Sequence, residues 1–318
     1  MRIVYVLAGL LAVLFVAACG DDDDGGDPTQ TGAASTAPAT TAAAAAFPVT
    51  VADDNGIGFT FAEAPDAIVA LAPSFVEVLY AVGAGESIVA ADENTDYPPE
   101  AADIPRVSGF SPSVEAIAAY EPDLVLMCCF DPGGLQGSLT ALDIPTMFFD
   151  SPATVDGVYE QIETIAEVVG SSEEAATIVA DMQSDIDGII SQLDAVEEGP
   201  SVFHEYDAEL FTAGPGSFPD EVYGLLKAPN IADSTGEPFP QMSNEAVIAA
   251  APAVIILADG DFGVTPESVA ARPGWDAIPA VQTDRIYPVN GALLSRPTPR
   301  LVDDIQTLAE LLYPEIFA

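Results

Sequence analysis

The chain has 318 residues, 49% of them hydrophobic, which is ample for one large core or two ordinary ones. Its 51 Asp and Glu against 7 Lys and Arg exclude nucleic acid as a partner, because phosphate recognition needs clustered cations. The acidity runs along the whole chain, which implies a high-salt habitat where screening removes the self-repulsion.

Residues 1–18 combine Arg2, an apolar run from Ile3 to Val16, and Ala17-Ala18 directly before Cys19. The run is short for a membrane span, so it reads as a lipoprotein signal peptide, with Cys19 as the acylated residue. Residues 19–46 are rich in Asp, Gly, Thr and Ala and hold almost no large apolar side chain. Such a segment cannot offset its ordering entropy and is expected to be a disordered tether. Globular structure is expected from residue 47, as an N-terminal lobe (47–153), connecting helices (154–199) and a C-terminal lobe (200–318).

Val49 to Phe61 alternates and turns at Asn55-Gly56, the pattern of a hairpin. Ala67–Leu71 is an apolar strand leading into Pro73-Ser74, a helix from Phe75 to Val82 and a second strand, Ile88–Ala91. Strand, helix and strand with short Gly and Pro breaks predict parallel sheets flanked by helices, hence an α/β fold. In such folds ligands bind beyond the carboxyl ends of the strands. The aromatics expected there are Phe75, Tyr97 and Phe110 in the first lobe and Tyr206 and Phe239 in the second.

Cys128 and Cys129 end the buried-strand run Asp123–Met127, and they read as buried thiols, with a disulfide between neighbours as the alternative. No metal site is expected, since Cys and His are too few to complete one. His204 reads as a packed histidine, with axial haem ligation as the alternative. An ATPase is excluded because the single lysine, Lys227, stands outside any Gly-Lys-Ser/Thr loop.

Between the lobes, Val155, Val158, Ile162, Ile165 and Val169 keep helical spacing, Gly170 breaks the pattern, and Ile178, Met182, Ile186, Ile189, Leu193 and Val196 resume it. Ser171 with Glu174 has the form of a capping box and Gly199-Pro200 that of a stop, predicting one long helix from Ser172 to Glu198. The flanks repeat. Ser113, Glu115 and Pro122 recur as Ser243, Glu245 and Pro252 at an offset of 130, each set predicting a Ser-capped helix that ends before an apolar strand. Two like lobes joined by one helix imply a ligand cleft between them. A glycosidase using Glu115 and Glu245 as its carboxylate pair is the enzyme alternative, and it needs the two across one cleft.

Taken together, Val69–Ser74, Asp96-Tyr97-Pro98-Pro99 with Arg106–Ser108, and the Ser113 to Asp123 pattern resemble the substrate-binding proteins of ABC importers for iron–siderophore complexes, haem and cobalamin. So do Phe211–Gly214, Pro240–Glu245, Arg272–Trp275 and Arg296–Arg300 in the second half. The resemblance implies a rigid, monomeric, non-enzymatic receptor at the extracytoplasmic face of the cell membrane, with no cofactor of its own. It would present a ferric siderophore, or cobalamin or haem, to the permease subunits. It places Glu115 and Glu245 as the permease-docking carboxylates and Phe110, Phe239 and Arg296, with Tyr97 nearby, at the ligand. Arg296 is expected to meet an anionic chelate.

Overall fold

The computed structural model describes residues 47–317. The expected signal peptide, Cys19 and the expected tether lie outside the described residues. Chain order runs β1 (Val49–Ala52), β2 (Gly58–Phe61), β3 (Ile68–Ala70), α1 (Pro73–Ala81), β4 (Ile88–Asp92), β5 (Arg106–Val107), α2 (Val114–Ala118), β6 (Leu124–Cys128), α3 (Leu135–Thr140) and β7 (Thr146–Phe149). Then follow α4 (Val155–Val169), α5 (Ser172–Ser191), β8 (Val202–Glu205), α6 (Phe218–Leu225), α7 (Asn244–Ala250), β9 (Val254–Leu257), α8 (Pro266–Ala270), α9 (Pro279–Gln282), β10 (Ile286–Pro288) and α10 (Leu301–Leu312).

The expected hairpin forms: β1 pairs antiparallel with β2, and Gly56 takes φ 75 in the turn, where a side chain would be strained. Two wholly parallel sheets follow, one of order β5-β4-β3-β6-β7 and one of order β10-β9-β8. Their central strands are buried on both faces, which is why β6 and β9 are near-continuous apolar runs rather than alternating ones. The fold is α/β, parallel sheets flanked by helices.

The 130-residue repeat is real in three dimensions. Ser113 and Ser243 each accept a hydrogen bond from the backbone N–H three residues on, capping α2 and α7. Glu121 and Ala251 both adopt left-handed backbone (φ 50 and φ 49) just before Pro122 and Pro252. The next N–H groups, of Asp123 and Leu124 in one copy and Ala253 and Val254 in the other, donate to one carbonyl each, Ala67 and Ser201. Each copy thereby hands its helix to its strand in the same way.

Helices α4 and α5 join the two sheets, broken at Gly170 with φ 78. Helix α4 packs on α1, β1 and α6, and α5 packs on α4 and α10. Their buried faces, with Val158, Ile162, Ile165, Ile186 and Ile189, belong to one continuous core containing Ile68 and Leu124 of the first sheet and Val202 and Val254 of the second. Burying such a side chain contributes about 1.5–3 kcal/mol. A shared core of this kind packs the two sheets and the connecting helices together.

Two expectations for α5 need correction. It ends at Ser191, not Glu198, because residues 192–196 tighten into i to i+3 hydrogen bonds, such as Leu193 N–H to Ile190 O and Val196 N–H to Leu193 O. The Lys227 ammonium then donates to the freed carbonyls of Leu193 (2.8 Å) and Val196 (3.0 Å). The capping box at Ser171 does not form, since its backbone (φ -114, ψ 36) leaves the hydroxyl without a cap bond.

Candidate ligand cleft

Both sheets present their carboxyl ends to two adjoining cavities. One, of 280 Å³, is walled by Ser74 after β3, Asn94 after β4, Cys128 and Cys129 at the end of β6, and Arg296. The other, of 430 Å³, is walled by Tyr206 after β8, Phe218 and Pro219 at the start of α6, Phe239 and Leu294. Ser151, Pro152 and Ser295 line both, so the two form one cleft running from the first sheet to the second.

The predicted aromatics divide. Tyr206 and Phe239 lie together, ring centroids 6.0 Å apart, on the second-lobe wall. Phe239 is 60% exposed, a state that wastes apolar surface unless something covers it. Phe110 is 75% exposed and meets Phe130 edge-on at 5.8 Å, on the loops following β5 and β6. Gly109 lets that loop close in, because a Cβ there would sit 2.4 Å from Leu71 O and from the Asp92 carboxylate. Tyr97 lies apart from the cleft, under the Arg300 guanidinium at 4.3 Å, beside a separate cavity with Glu77 and Tyr80. Phe75 is a correction: it is fully buried against Phe149 and offers no ligand surface, because Pro73 starts the helix and turns position 75 inward.

Arg296 falls at the cleft as expected, but its guanidinium already pairs with Asp96 (2.5 Å) and Glu77 (3.2 Å). That pairing holds the Asp96 carboxyl below its usual range, chiefly through the Arg296 hydrogen bond. Arg300 forks onto the same buried Glu77 at 2.7 and 2.8 Å. With carboxylates in such excess, a cation finds a protein partner before any ligand arrives. The rest follow suit: Arg272 pairs with buried Glu205, Arg285 caps the last carbonyls of α10, and Arg106 bonds three loop carbonyls.

His204 is a packed histidine, not an axial ligand. It is 1% exposed, its Nδ1 lies 2.7 Å from the Tyr223 hydroxyl and its ring lies against Tyr206. Burial lowers its pKa to about 4, so it is neutral. Cys128 and Cys129 are joined as a disulfide, with Cys129 exposed, in place of the expected buried thiols. The strand ends one residue too early to bury the second sulfur. Among the described residues no group of three or more His, Cys, Asp or Glu is placed to hold a metal ion.

Glu115 and Glu245 sit exposed in the first turns of α2 and α7, on different sheets, and neither borders the two cleft cavities. Backbone N–H bonding, then the Ser113 hydroxyl at 3.0 Å, lowers the Glu115 pKa. The sequence pattern missed Glu77, Leu294 and the Ser151-Pro152 linker. A Ser-Pro pair just before the Thr154 cap of α4 is the signal that could have marked that linker as a strand-end loop.

Residues 68–291 match the family model described as periplasmic binding protein, well over half of the chain. The chain belongs to that family. It is 33% identical over 282 residues to an uncharacterised ABC transporter substrate-binding lipoprotein of Bacillus subtilis, covering 85% of this chain and 87% of the relative. It is 27% identical over 252 residues to a vitamin B12-binding protein of Vibrio cholerae, covering 77% and 88%. A crystal structure from Saccharomonospora viridis, described as an ABC-type Fe3+-hydroxamate transport system, superposes with TM-score 0.69 at 26% identity, covering 84% of this chain and 99% of that one. The family consists of transport receptors rather than enzymes, and this chain is an ABC-importer substrate-binding protein of the iron, B12 and haem group. No helix of the described residues is long and apolar enough to cross a membrane.

Proposed function

We propose that the protein is a lipid-anchored extracytoplasmic receptor that captures a metal chelate between its lobes and delivers it to an importer permease. The favoured ligand is a ferric siderophore of the hydroxamate kind. The observation that carries this reading is a cleft walled by Tyr206 and Phe239, in which Arg296, the one cation among its described lining residues, is already neutralised by Asp96 and Glu77.

Such a cleft suits a bulky chelate of little net charge. A ferric trihydroxamate is close to neutral because the metal charge cancels that of its ligands, whereas a ferric catecholate keeps several negative charges. An anion would have to enter a strongly acidic body without an unpaired guanidinium to meet it. The Saccharomonospora likeness agrees with this choice. Cobalamin is the second reading: it too lacks a large negative charge, and the Vibrio relative is named for binding it. In this scheme Glu115 and Glu245 engage basic pockets on the permease, one per lobe, since rim charges orient association without touching the cleft.

Calorimetry with a ferric trihydroxamate, cobalamin and a ferric catecholate decides among these. The hydroxamate should bind at least a hundredfold more tightly than the catecholate. Tighter binding of the catecholate would overturn the charge argument, and tighter binding of cobalamin would promote the second reading.

A further inference from the structure

The disulfide between Cys128 and Cys129 sits where β6 meets the cleft. Both residues line the 280 Å³ cavity, as does Arg296. Joined neighbours constrain the peptide between them, and the chain here makes a tight reversal. Cys129 takes left-handed backbone at φ 73, and the Phe130 N–H turns back to the Cys128 carbonyl at 2.9 Å. A second bond, Cys129 N–H to Phe149 O at 2.9 Å, ties the reversal to the neighbouring strand. The product of this geometry is the position of Phe130. Its ring is 44% exposed and supports the more exposed Phe110 edge-on. Left-handed backbone is uncommon for a residue with a side chain, and here it falls at an exposed cysteine that lines the cleft.

We propose that the Cys128–Cys129 disulfide is a positioning element of the ligand cleft, and that its reduction loosens the cavity wall formed by Cys128 and Cys129 together with the adjoining Phe130–Phe110 pair, and weakens chelate binding. The inference rests on the chelate-binding reading above. The chemistry is thiol–disulfide exchange with a dithiol: one thiolate attacks a cysteine sulfur to give a mixed disulfide, and the second thiol displaces it. Two electrons and two protons pass to the protein, the bond between Cys128 and Cys129 becomes two thiols, and the dithiol leaves as its own disulfide. Once reduced, Cys129 is an ordinary residue free to leave left-handed backbone, and Phe130 moves with it.

The exchange needs access, and Cys129 has it. Position 258-259, the equivalent of 128-129 in the second repeat, is Ala258-Asp259. The device therefore belongs to one lobe alone, as expected of an acquired binding feature rather than a requirement of the fold.

The test uses the full chain and a gallium(III) trihydroxamate as probe, because a thiol cannot reduce gallium. Affinity is measured by calorimetry before and after dithiothreitol, with thiol titration confirming that the bond has opened. Hydrogen exchange at the Cys129 and Phe130 amides reports the turn independently of ligand. Reduction and the C128S/C129S variant should each weaken binding about tenfold and speed exchange at both amides. The C128A/C129G variant should recover part of the affinity, since glycine accepts φ 73 without a side-chain penalty. If the untreated protein binds but reduction changes neither affinity nor exchange, the positioning role is wrong while the receptor reading stands. If the untreated protein binds neither this probe nor cobalamin, the receptor reading fails and takes the proposal with it.

Discussion

Strands β3 and β8 hold the same place in the two repeats, each pairing with its β6 or β9 partner in matching register, Ile68 with Leu124 and Val202 with Val254. From that anchor the sequences part. Ala70, Leu71 and Ala72 in the first copy stand where His204, Glu205 and Tyr206 stand in the second. Helix caps, the left-handed residue before proline and the shared carbonyl are kept, because they are what turns a helix into a buried parallel strand. The strand ends are free to differ, and in the second copy they carry two buried polar groups, His204 and Glu205, and then Tyr206 at the cleft. The scaffold is common; the wall it carries is particular.

The comparison can be broken most decisively where the two copies are alike. Replacing both carboxylates proposed to dock on the permease, Glu115→Arg with Glu245→Arg, should abolish ligand uptake in cells while calorimetric affinity stays within about twofold, since rim charges govern association rather than the cleft. Uptake at the parental rate would reduce the pair to helix-end carboxylates. Next comes a difference between the copies. Glu205 is wholly buried and held by Arg272 at 2.5 and 2.6 Å, while its counterpart Leu71 needs no partner. Arg272→Ala should cost about 3–5 kcal/mol in denaturant unfolding by stranding that carboxylate, and Glu205→Leu with Arg272→Met should restore most of it. A loss below 1 kcal/mol would mean that water reaches Glu205.

His204 sharpens the same contrast through pH. Its folded pKa of about 4 lies below the unfolded value of 6.5, so the unfolded chain takes up the proton first as pH falls. Stability attributable to this group is full above pH 6.5 and declines toward pH 4, by roughly 3 kcal/mol in total at 1.36 kcal/mol per unit. Urea unfolding of the parent and His204→Gln should therefore converge by about that amount between pH 7 and 4, and parallel curves would refute neutral burial. The smallest effect tests equivalence itself. Ser113→Ala and Ser243→Ala should each cost about 1 kcal/mol, and a clear inequality would show that the two caps are not interchangeable.

Much of this was legible because local rules decide it. The Asn55-Gly56 turn and the Ser-capped repeats depend on neighbours in sequence, and the chain forms them as spaced. What escaped depends on partners far away. Lys227 satisfies the carbonyls beyond the end of α5 from 34 residues downstream, and Arg296 is claimed by Glu77 across 219 residues. Phe75 looked like a strand-end aromatic, yet a helix starting at Pro73 turns it into the core. The vicinal cysteines showed only as an alternative, since composition cannot say whether the second sulfur falls inside the strand or just beyond it. For the site, sequence found the second-lobe aromatics but not the charge state of the cleft.

Lys227 has a practical side. It is the chain's one lysine, and its amine is spent on two carbonyls at the end of α5. Amine-directed dyes and cross-linkers, which need a free nucleophile, therefore meet a folded body whose single lysine is half-buried and held by two carbonyls. The rate at which Lys227 becomes acylated is then a single-site clock for the opening of that helix end.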